Sequence, residues 1–357
     1  MPPATPRPVV ALAMGDPCGI SPELTAKLVA DKAVRKACDL IVIGDRRIMA
    51  EGERVAGISC DMNHWTQGNA LEFDENPVFV DLGHLDPSRV ERGVASAEGG
   101  RFAMTNFRSV LRLAHAGAAD AATFTPFNKH AMKLGAGRYD DEIAIVNEET
   151  GAKHPGREFN ILGKLWNARV TSHIPLKDVS AHLSKARIVE AIRLTDLCMR
   201  EAGFPKPRIA VAALNPHAGD GGNFGREEID VIEPAVADAR ALGIACEGPF
   251  PSDTVFVRAK RGDFDAVQTM FHDQGQIAMK LMGFEAGVTL IGGYAFPVCT
   301  PAHGTAYDIA GLGKANLGAS RNAVLIAAEM AKPRALDGAT RGRILGEVLA
   351  RTCDRAA

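Results

Sequence analysis

The 357-residue sequence lacks the features that would place it among nucleic-acid-binding or membrane proteins. Its net charge at pH 7 is only −2 and its pI is near 6.6, so it has no basic excess to neutralise a phosphate backbone. No run approaches the roughly 20 apolar residues that cross a bilayer, and the apolar segment 9–14 is too short for a signal peptide. We therefore expect a cytoplasmic protein whose partners are small molecules and a second copy of itself.

Cysteine spacing and glycine motifs exclude further classes. The seven cysteines are an odd number without a CxxC pair, which predicts reduced, buried thiols rather than a disulfide framework. Neither a GxGxxG fingerprint nor a Walker loop is present, so the two common nucleotide-binding motifs are excluded. What remains is a globular chain, 46% hydrophobic, that is long enough to form two domains.

Short apolar runs alternate with longer amphipathic stretches along the chain. They predict strands at 8–14, 39–44, 77–80, 119–124, 168–172, 208–214, 264–270 and 287–291, and helices at 95–116, 185–202, 227–242 and 321–330. Continuous apolar strands that alternate with helices are typical of parallel or mixed sheets covered by helices, so the predicted fold class is α/β. We place the first domain at 1–140 plus 300–357 and the second at 141–299, with the site in a cleft between them.

Three histidines lie near the ends of predicted strands. His173 is in Ser-His-Ile-Pro, His217 in Asn-Pro-His-Ala-Gly and His272 in Phe-His-Asp-Gln-Gly. Because parallel strands end at one edge of a sheet, these loops could meet there. Three neutral imidazoles with an open fourth position make a catalytic divalent-metal site, whereas the alternative for each is an ordinary surface histidine.

Two other loops carry candidate binding groups. Residues 15–23 follow the first strand and open a helix, with Ser21 as the predicted N-cap, so this loop is either a structural turn or an anion site. Lys129 lies at a predicted helix start, where a cation opposes the helix dipole and an anionic ligand would explain it. Lys280 is either a second ligand-binding lysine or a solvated one.

The segment 303–311, His-Gly-Thr-Ala-Tyr-Asp-Ile-Ala-Gly, resembles the adenosine-binding loop of isocitrate and isopropylmalate dehydrogenases. Those enzymes bind NAD(P) without a Rossmann fingerprint. The other motifs, in chain order from 15–23 through Glu227-Glu228 and 252–254 to Lys280, resemble those of the 4-hydroxythreonine-4-phosphate dehydrogenase family. This resemblance covers nearly the whole chain.

The resemblance implies two α/β/α domains with an isopropylmalate dehydrogenase-like fold, and a homodimer with the active site at its interface. It implies a divalent metal, which is zinc or else cobalt, nickel or manganese, held by His173 and His217 of one subunit and His272 of the other. It implies NAD, or NADP as the alternative, bound by Gly219, His303, Gly304, Thr305, Ala306 and Asp308. Its catalytic candidates are Lys280, Asp253 and Lys129, among which the general base stays open.

The predicted substrate site departs from the family pattern. The family's Gly-His-Thr-Glu reads Tyr139-Asp140-Asp141-Glu142, and its substrate-binding Asn and Arg align with Thr289 and Val298. Each lost charge-assisted hydrogen bond weakens phosphate binding by about 1.5–3 kcal/mol. We assign substrate contacts to Asp140, Asp141, Lys280, Thr289 and Val298, and expect a non-phosphorylated substrate.

Three functions compete. The leading prediction is NAD-linked oxidation and decarboxylation of a β-hydroxy acid such as terephthalate cis-dihydrodiol, because segment 291–293 resembles the terephthalate dihydrodiol dehydrogenase branch of the family. The alternative substrate is 4-phosphohydroxythreonine or a related four-carbon sugar-acid phosphate. The alternative from another class is a catalytically silent protein that binds NAD or a metabolite.

Overall fold

The computed structural model describes residues 7–137, 141–153 and 156–353. Its strands are β1 Val9–Ala13, β2 Asp39–Gly44, β3 Asn63–His64, β4 Val78–Asp81, β5 Ala121–Phe124, β6 Arg157–Leu162, β7 Leu165–Arg169, β8 Ile209–Ala212, β9 Cys246–Phe250, β10 Ala266–Thr269, β11 Val288–Gly292 and β12 Val298–Pro301. Its α-helices are α1 Ser21–Ala30, α2 Lys32–Ala37, α3 Arg46–Ala56, α4 Ala97–Ala116, α5 Lys129–Ala136, α6 Glu142–Thr150, α7 Val179–His182, α8 Lys185–Glu201, α9 Glu233–Ala241, α10 Ser252–Lys260, α11 His272–Gly283, α12 Gly318–Met330 and α13 Gly338–Cys353.

The predicted α/β class is confirmed, and each predicted strand overlaps an observed one. Four strands, β3, β6, β9 and β12, are absent from the prediction. β9 includes Gly248 and Pro249, which ordinarily indicate a turn. Because β9 ends the strand order, an edge position tolerates its proline.

The first compact unit comprises Met1–Arg157 and Tyr294–Ala357. Its strands run in the order β3-β4-β2-β1-β5-β12 and all of them pair in parallel. Every residue of β1 is buried, and both α4 and α12 pack against this strand. The carboxyl ends of β1, β5 and β12 therefore lie side by side, and the loops at 14–20, 125–128 and 302–306 leave from them.

The second unit comprises Glu158–Gly293, with the strand order β11-β6-β7-β10-β8-β9. β6 pairs with β7 in antiparallel fashion, whereas β7, β10, β8 and β9 are parallel neighbours. His173, His272, His217 and Asp253 follow these four strands in that same spatial order. The topology thus places all four residues after the carboxyl ends of adjacent strands.

The unit boundaries differ from the predicted ones at 140 and 300. Helix α6 belongs to the first unit because Glu149 forms ion pairs with Arg108 and Arg112 of α4. β12 also belongs there because it pairs with β5. The chain therefore passes from the first unit to the second between residues 157 and 158, and returns between residues 293 and 294.

A buried ion pair attaches α13 to the first sheet. Asp120 accepts hydrogen bonds from the Val9 N–H at 2.8 Å and the Arg334 N–H at 3.0 Å, and its Oδ2 lies 3.6 Å from Arg341. Arg341 is also buried, and it donates to the Ala118 carbonyl at 2.6 Å.

Asp120→Ala should lower the free energy of unfolding by about 3–5 kcal/mol, because it leaves a buried guanidinium and two N–H donors without their acceptor. Chemical denaturation measures this change. The control is Glu347→Ala, which removes an exposed ion pair with Arg343 and should cost less than about 0.5 kcal/mol. Equal losses in the two variants would contradict the role of the buried pair.

Candidate functional site

The loop after β1 is fixed to the loop after β5 by backbone contacts. The Gly15 N–H donates to Thr125 Oγ1 at 2.8 Å, and the Asp16 N–H donates to the Pro126 carbonyl at 2.9 Å. A Cβ on Gly15 would lie 2.2 Å from the Thr125 carbonyl oxygen. Only glycine permits this close approach.

Ser21 is not the N-cap of α1, contrary to the prediction. The N-cap is Ile20, which forms no side-chain capping hydrogen bond, and Ser21 is the first helical residue. The Ser21 hydroxyl instead donates to the Pro126 carbonyl at 2.7 Å. The serine therefore joins the first two loops rather than presenting its hydroxyl to the helix end.

The segment 303–309 lies directly against the first loop. The Ile20 N–H donates to the Thr305 carbonyl at 3.0 Å, and the Tyr307 hydroxyl donates to Asp16 Oδ2 at 2.5 Å. A Cβ on Gly19 would lie 2.6 Å from the Thr305 carbonyl oxygen. Three motifs that are far apart in sequence thus form one continuous surface of the first unit.

Burial governs the Asp16–Tyr307 hydrogen bond. Asp16 is 1% exposed, and its Oδ1 accepts from the Cys18 N–H at 2.8 Å. Burial raises the pKa of Asp16, against the opposing effect of its hydrogen bonds, and burial together with Asp16 raises the pKa of Tyr307. The phenol therefore keeps its proton and serves as the donor.

Five of the six predicted cofactor-binding residues lie on this surface. His303 Nδ1 is 3.0 Å from the Gly304 carbonyl, Thr305 is buried, and Ala306 has a left-handed φ of 42°. Asp308 is exposed. The sixth residue, Gly219, belongs to the second unit. Their contact with NAD stays a prediction.

Lys129 and Asp141 have structural partners. Lys129 is the first residue of α5, and its Nζ lies 3.4 Å from Glu142 Oε2. Asp141 caps α6 by accepting from the Ala144 N–H at 2.9 Å. Asp140 lies outside the described residues. The ion pair accounts for the charge of Lys129 and the helix cap accounts for that of Asp141, although the sequence assigned both residues to ligand binding. The roles of Lys129 and Asp141 toward substrate stay predictions.

Two of the three predicted metal-binding histidines lie together in the second unit. The ring centroids of His173 and His272 are 5.5 Å apart. Both rings line a pocket of about 290 Å³ that is bounded by residues 171–174 and 271–273. The prediction that the metal site takes His272 from the other subunit stays a prediction.

His217 lies in a turn of unusual backbone geometry, next to the ring of Phe224 at a centroid distance of 6.1 Å. Its φ is 52°, and that of His173 is 53°. Within the described parts of this single chain, no group of three His, Cys, Asp or Glu side chains could hold a metal ion. The complete three-histidine set and its division between two subunits stay predictions.

Gln274 joins the loops around these histidines. Its Nε2 donates to the Ala213 carbonyl at 2.6 Å and to Ser252 Oγ at 2.7 Å, and its Oε1 accepts from the Met270 N–H at 2.6 Å. This one side chain therefore links the ends of β8, β9 and β10. Asp253, which follows Ser252, is exposed.

Lys280, Thr289 and Val298 occupy three different environments. Lys280 is exposed on α11 and forms no ion pair with any residue that the structure describes. Thr289 Oγ1 accepts from Asn160 Nδ2 at 3.4 Å. Val298 is 0% exposed, and its strand pairs with β5. Its side chain therefore belongs to the sheet core and is not open to a ligand.

Sequence reasoning missed Arg169, which ends β7 four residues before His173. Arg169 is buried, pairs with Glu158, and donates to Asn160 Oδ1 at 2.7 Å and to Ser172 Oγ at 3.0 Å. Burial lowers its pKa. An arginine inside an apolar predicted strand was the available signal.

The donors present fit the implied groups. Side-by-side imidazoles are ligands that zinc, cobalt and nickel accept. In the segment 303–309, which Asp16 and Ile20 hold, Gly304 and Asp308 are exposed and can contact a ligand. No helix in the described part of the chain is long and apolar enough to cross a membrane.

Comparison with known proteins gives the family. The pattern of the pyridoxal phosphate biosynthetic protein PdxA family matches residues 36–327. A relative from Rhizobium meliloti (strain 1021), provisionally named 4-hydroxythreonine-4-phosphate dehydrogenase 2, is 60% identical over 339 residues, covering 93% of this chain and 96% of its own.

Solved structures agree with this assignment. The 4-hydroxythreonine-4-phosphate dehydrogenase of Klebsiella pneumoniae is 33% identical with a TM-score of 0.78, over 91% of this chain and all of that chain. A terephthalate 1,2-cis-dihydrodiol dehydrogenase from Burkholderia xenovorans LB400 is 28% identical with a TM-score of 0.62, over 89% and 98%. The predicted family and the predicted dehydrogenase class are confirmed. The chain belongs to the pyridoxal phosphate biosynthetic protein PdxA family.

Proposed function

We propose that this protein oxidises and decarboxylates a four-carbon hydroxy acid that carries a terminal phosphate, with NAD and a divalent metal. The substrate is 4-phosphohydroxythreonine or a closely related sugar-acid phosphate. The observation that carries the proposal is the coexistence of a paired-histidine pocket with the joined surface of 15–20 and 303–309. A silent binding protein has no chemical need for both.

The choice of a phosphorylated substrate reverses our sequence-based expectation. The missing arginine at position 298 predicted a non-phosphorylated acid, with terephthalate cis-dihydrodiol as the leading case. The relatives named for 4-hydroxythreonine-4-phosphate are more similar to this chain than the terephthalate enzyme, in sequence and in fold. The stated alternative is therefore the better supported one.

Lys280 is our candidate for the positive charge that Val298 does not supply. Its ammonium is exposed and lacks a carboxylate partner among the described residues, so it can pair with an anionic substrate without first breaking an ion pair. Lys129 is less available because Glu142 lies 3.4 Å from its Nζ. The proton of the reacting hydroxyl passes to the Asp253 carboxylate or to the neutral amine form of Lys129, because an ammonium that binds the substrate anion cannot accept a proton.

His173, His217 and His272 would hold the metal, and the segment 303–309 would hold NAD. When bound, the metal withdraws electron density from the substrate oxygens and NAD accepts a hydride. The chain's own contribution is to orient these groups and to bind the substrate's charges. Imidazoles that follow the ends of neighbouring strands serve that purpose because the sheet fixes where their segments begin.

A second copy of the chain completes the site in this proposal. Leu176, Ile277 and Leu281 are 70%, 60% and 83% exposed, and all three lie near the His173–His272 pocket in sequence. Ile277 and Leu281 are four residues apart on α11 and share one helix face with Asp273. Such an apolar face beside a half-built site favours an isologous dimer.

Mixing two inactive variants tests both the metal set and its division between subunits. His217→Ala and His272→Ala should each abolish NADH formation from NAD and 4-phosphohydroxythreonine. Co-expression should restore about one quarter of the wild-type rate, because half of the dimers are mixed and each has one intact site of two. Absorbance of NADH, with and without a chelator, is the measurement.

No restoration, with wild-type activity that a chelator abolishes, would mean that one chain supplies all three histidines. Wild-type activity that survives full chelation would contradict the metal role. The absence of NADH formation from any phosphorylated four-carbon hydroxy acid would contradict the proposed reaction.

Tyr307→Phe tests the cofactor segment. It removes the hydroxyl that holds 303–309 to Asp16, a loss of about 1 kcal/mol that should raise the KM for NAD roughly fivefold. The KM for the hydroxy acid should not change. Tyr294→Phe is the matched control, since its hydroxyl contacts Asn147 and the Gly156 N–H instead. Equal NAD affinity in wild type and Tyr307→Phe would argue against this surface as the NAD site.

A further inference from the structure

Five consecutive residues of the second unit adopt left-handed backbone conformations. Residues 217–221 have φ values of 52°, 55°, 79°, 44° and 65°, and three of them, His217, Ala218 and Asp220, are not glycine. Each non-glycine residue in this region costs about 1–2 kcal/mol. The turn therefore persists only because neighbouring groups hold it.

The buried carboxylate of Glu228 is the main holding group. It is 0% exposed, and its Oε1 accepts from the Leu214 and Asn215 N–H groups, each at 2.8 Å. Its Oε2 accepts from Asn215 Nδ2 at 2.9 Å. A Cβ on Gly219 would lie 2.7 Å from that same Oε2, so the turn packs directly onto the carboxylate.

Glu227 extends the contact to the neighbouring histidine segment. Its Oε2 accepts from Asn215 Nδ2 at 2.7 Å, and its Oε1 accepts from Ser180 Oγ at 2.6 Å. Ser180 lies in α7, a few residues after His173. The two adjacent glutamates thus connect the segments that carry His217 and His173.

Glu228 itself begins a segment of irregular backbone. Glu228–Ile232 forms a π-helical turn before α9, an irregularity often found at functional sites. Because Glu228 is buried and its two oxygens already accept three hydrogen bonds, it cannot itself bind a metal or substrate. Its effect must be exerted through His217.

We propose that Glu228 is a positioning residue that fixes the strained turn from which His217 reaches the metal. This inference rests on the proposed function, because it assumes that His217 is a ligand. Without Glu228, the strained turn would relax to another backbone conformation. His217 would then lose the position from which it binds the metal. The consequence is weaker metal binding.

The test measures the dissociation constant of Co²⁺ by titration calorimetry on chelator-stripped, full-length protein. Glu228→Gln should weaken Co²⁺ binding by about 10-fold or more, the usual effect of removing an outer support of a ligand. Glu233→Gln, an exposed glutamate five residues later, is the matched control and should leave Co²⁺ binding unchanged.

A double variant separates positioning from general destabilisation. If Glu228 acts through His217, Glu228→Gln should cause no further loss of Co²⁺ affinity in a His217→Ala background. A further loss of similar size there would overturn the inference. If Glu228→Gln fails to fold, Glu227→Gln, which weakens the link between Ser180 and Asn215, should still weaken Co²⁺ binding several-fold.

The outcomes distinguish this inference from the proposed function. Wild-type protein that binds no Co²⁺ would overturn both. Wild-type binding with an unchanged dissociation constant in Glu228→Gln would overturn the positioning role alone and leave the metal site intact.

Discussion

Parallel strand pairing is the constraint on which both candidate sites depend. In the first unit, β1, β5 and β12 are neighbours, so three loops from distant parts of the sequence meet at one edge. In the second unit, β7, β10 and β8 do the same for the three histidine segments. Shifting one strand out of either order would separate the segments that the proposed sites bring together.

Buried carboxylates then fix the loops that leave these edges. Asp16 receives the Cys18 N–H and the Tyr307 hydroxyl, and Glu228 receives two backbone N–H groups and an amide. A buried polar group is tolerated only when hydrogen bonds replace its water, so each of these carboxyl groups selects one loop conformation. The glycines at 15 and 19 permit the accompanying close approach of backbones.

The sequence predicted much of the fold, because short apolar runs fix strand positions. It also predicted that histidine loops would follow neighbouring strands. It did not predict the Ser21 contact with Pro126, the buried environment of Val298 or the Asp141 cap. These three features depend on which side chain faces which neighbouring segment in the folded chain. The periodicity of apolar residues does not reveal those contacts.

The comparisons favour the alternative substrate over the leading prediction, and the reason is related. Replacement of an arginine at one aligned position was treated as loss of phosphate binding, although a charge can come from another element. Lys280, exposed on α11 and without an ion-pair partner among the described residues, can supply it. A gapless alignment compares positions in sequence, whereas phosphate recognition depends on where charges lie in space.

The most direct test of the account is the ratio of kcat/KM for 4-phosphohydroxythreonine to kcat/KM for its dephosphorylated counterpart. Both values are measured from NADH formation with metal present. Terephthalate cis-dihydrodiol is measured beside them. The account predicts that the phosphorylated acid is preferred by on the order of 100-fold, the effect of losing two charge-assisted hydrogen bonds. Turnover of the dihydrodiol without turnover of the phosphate ester would contradict it.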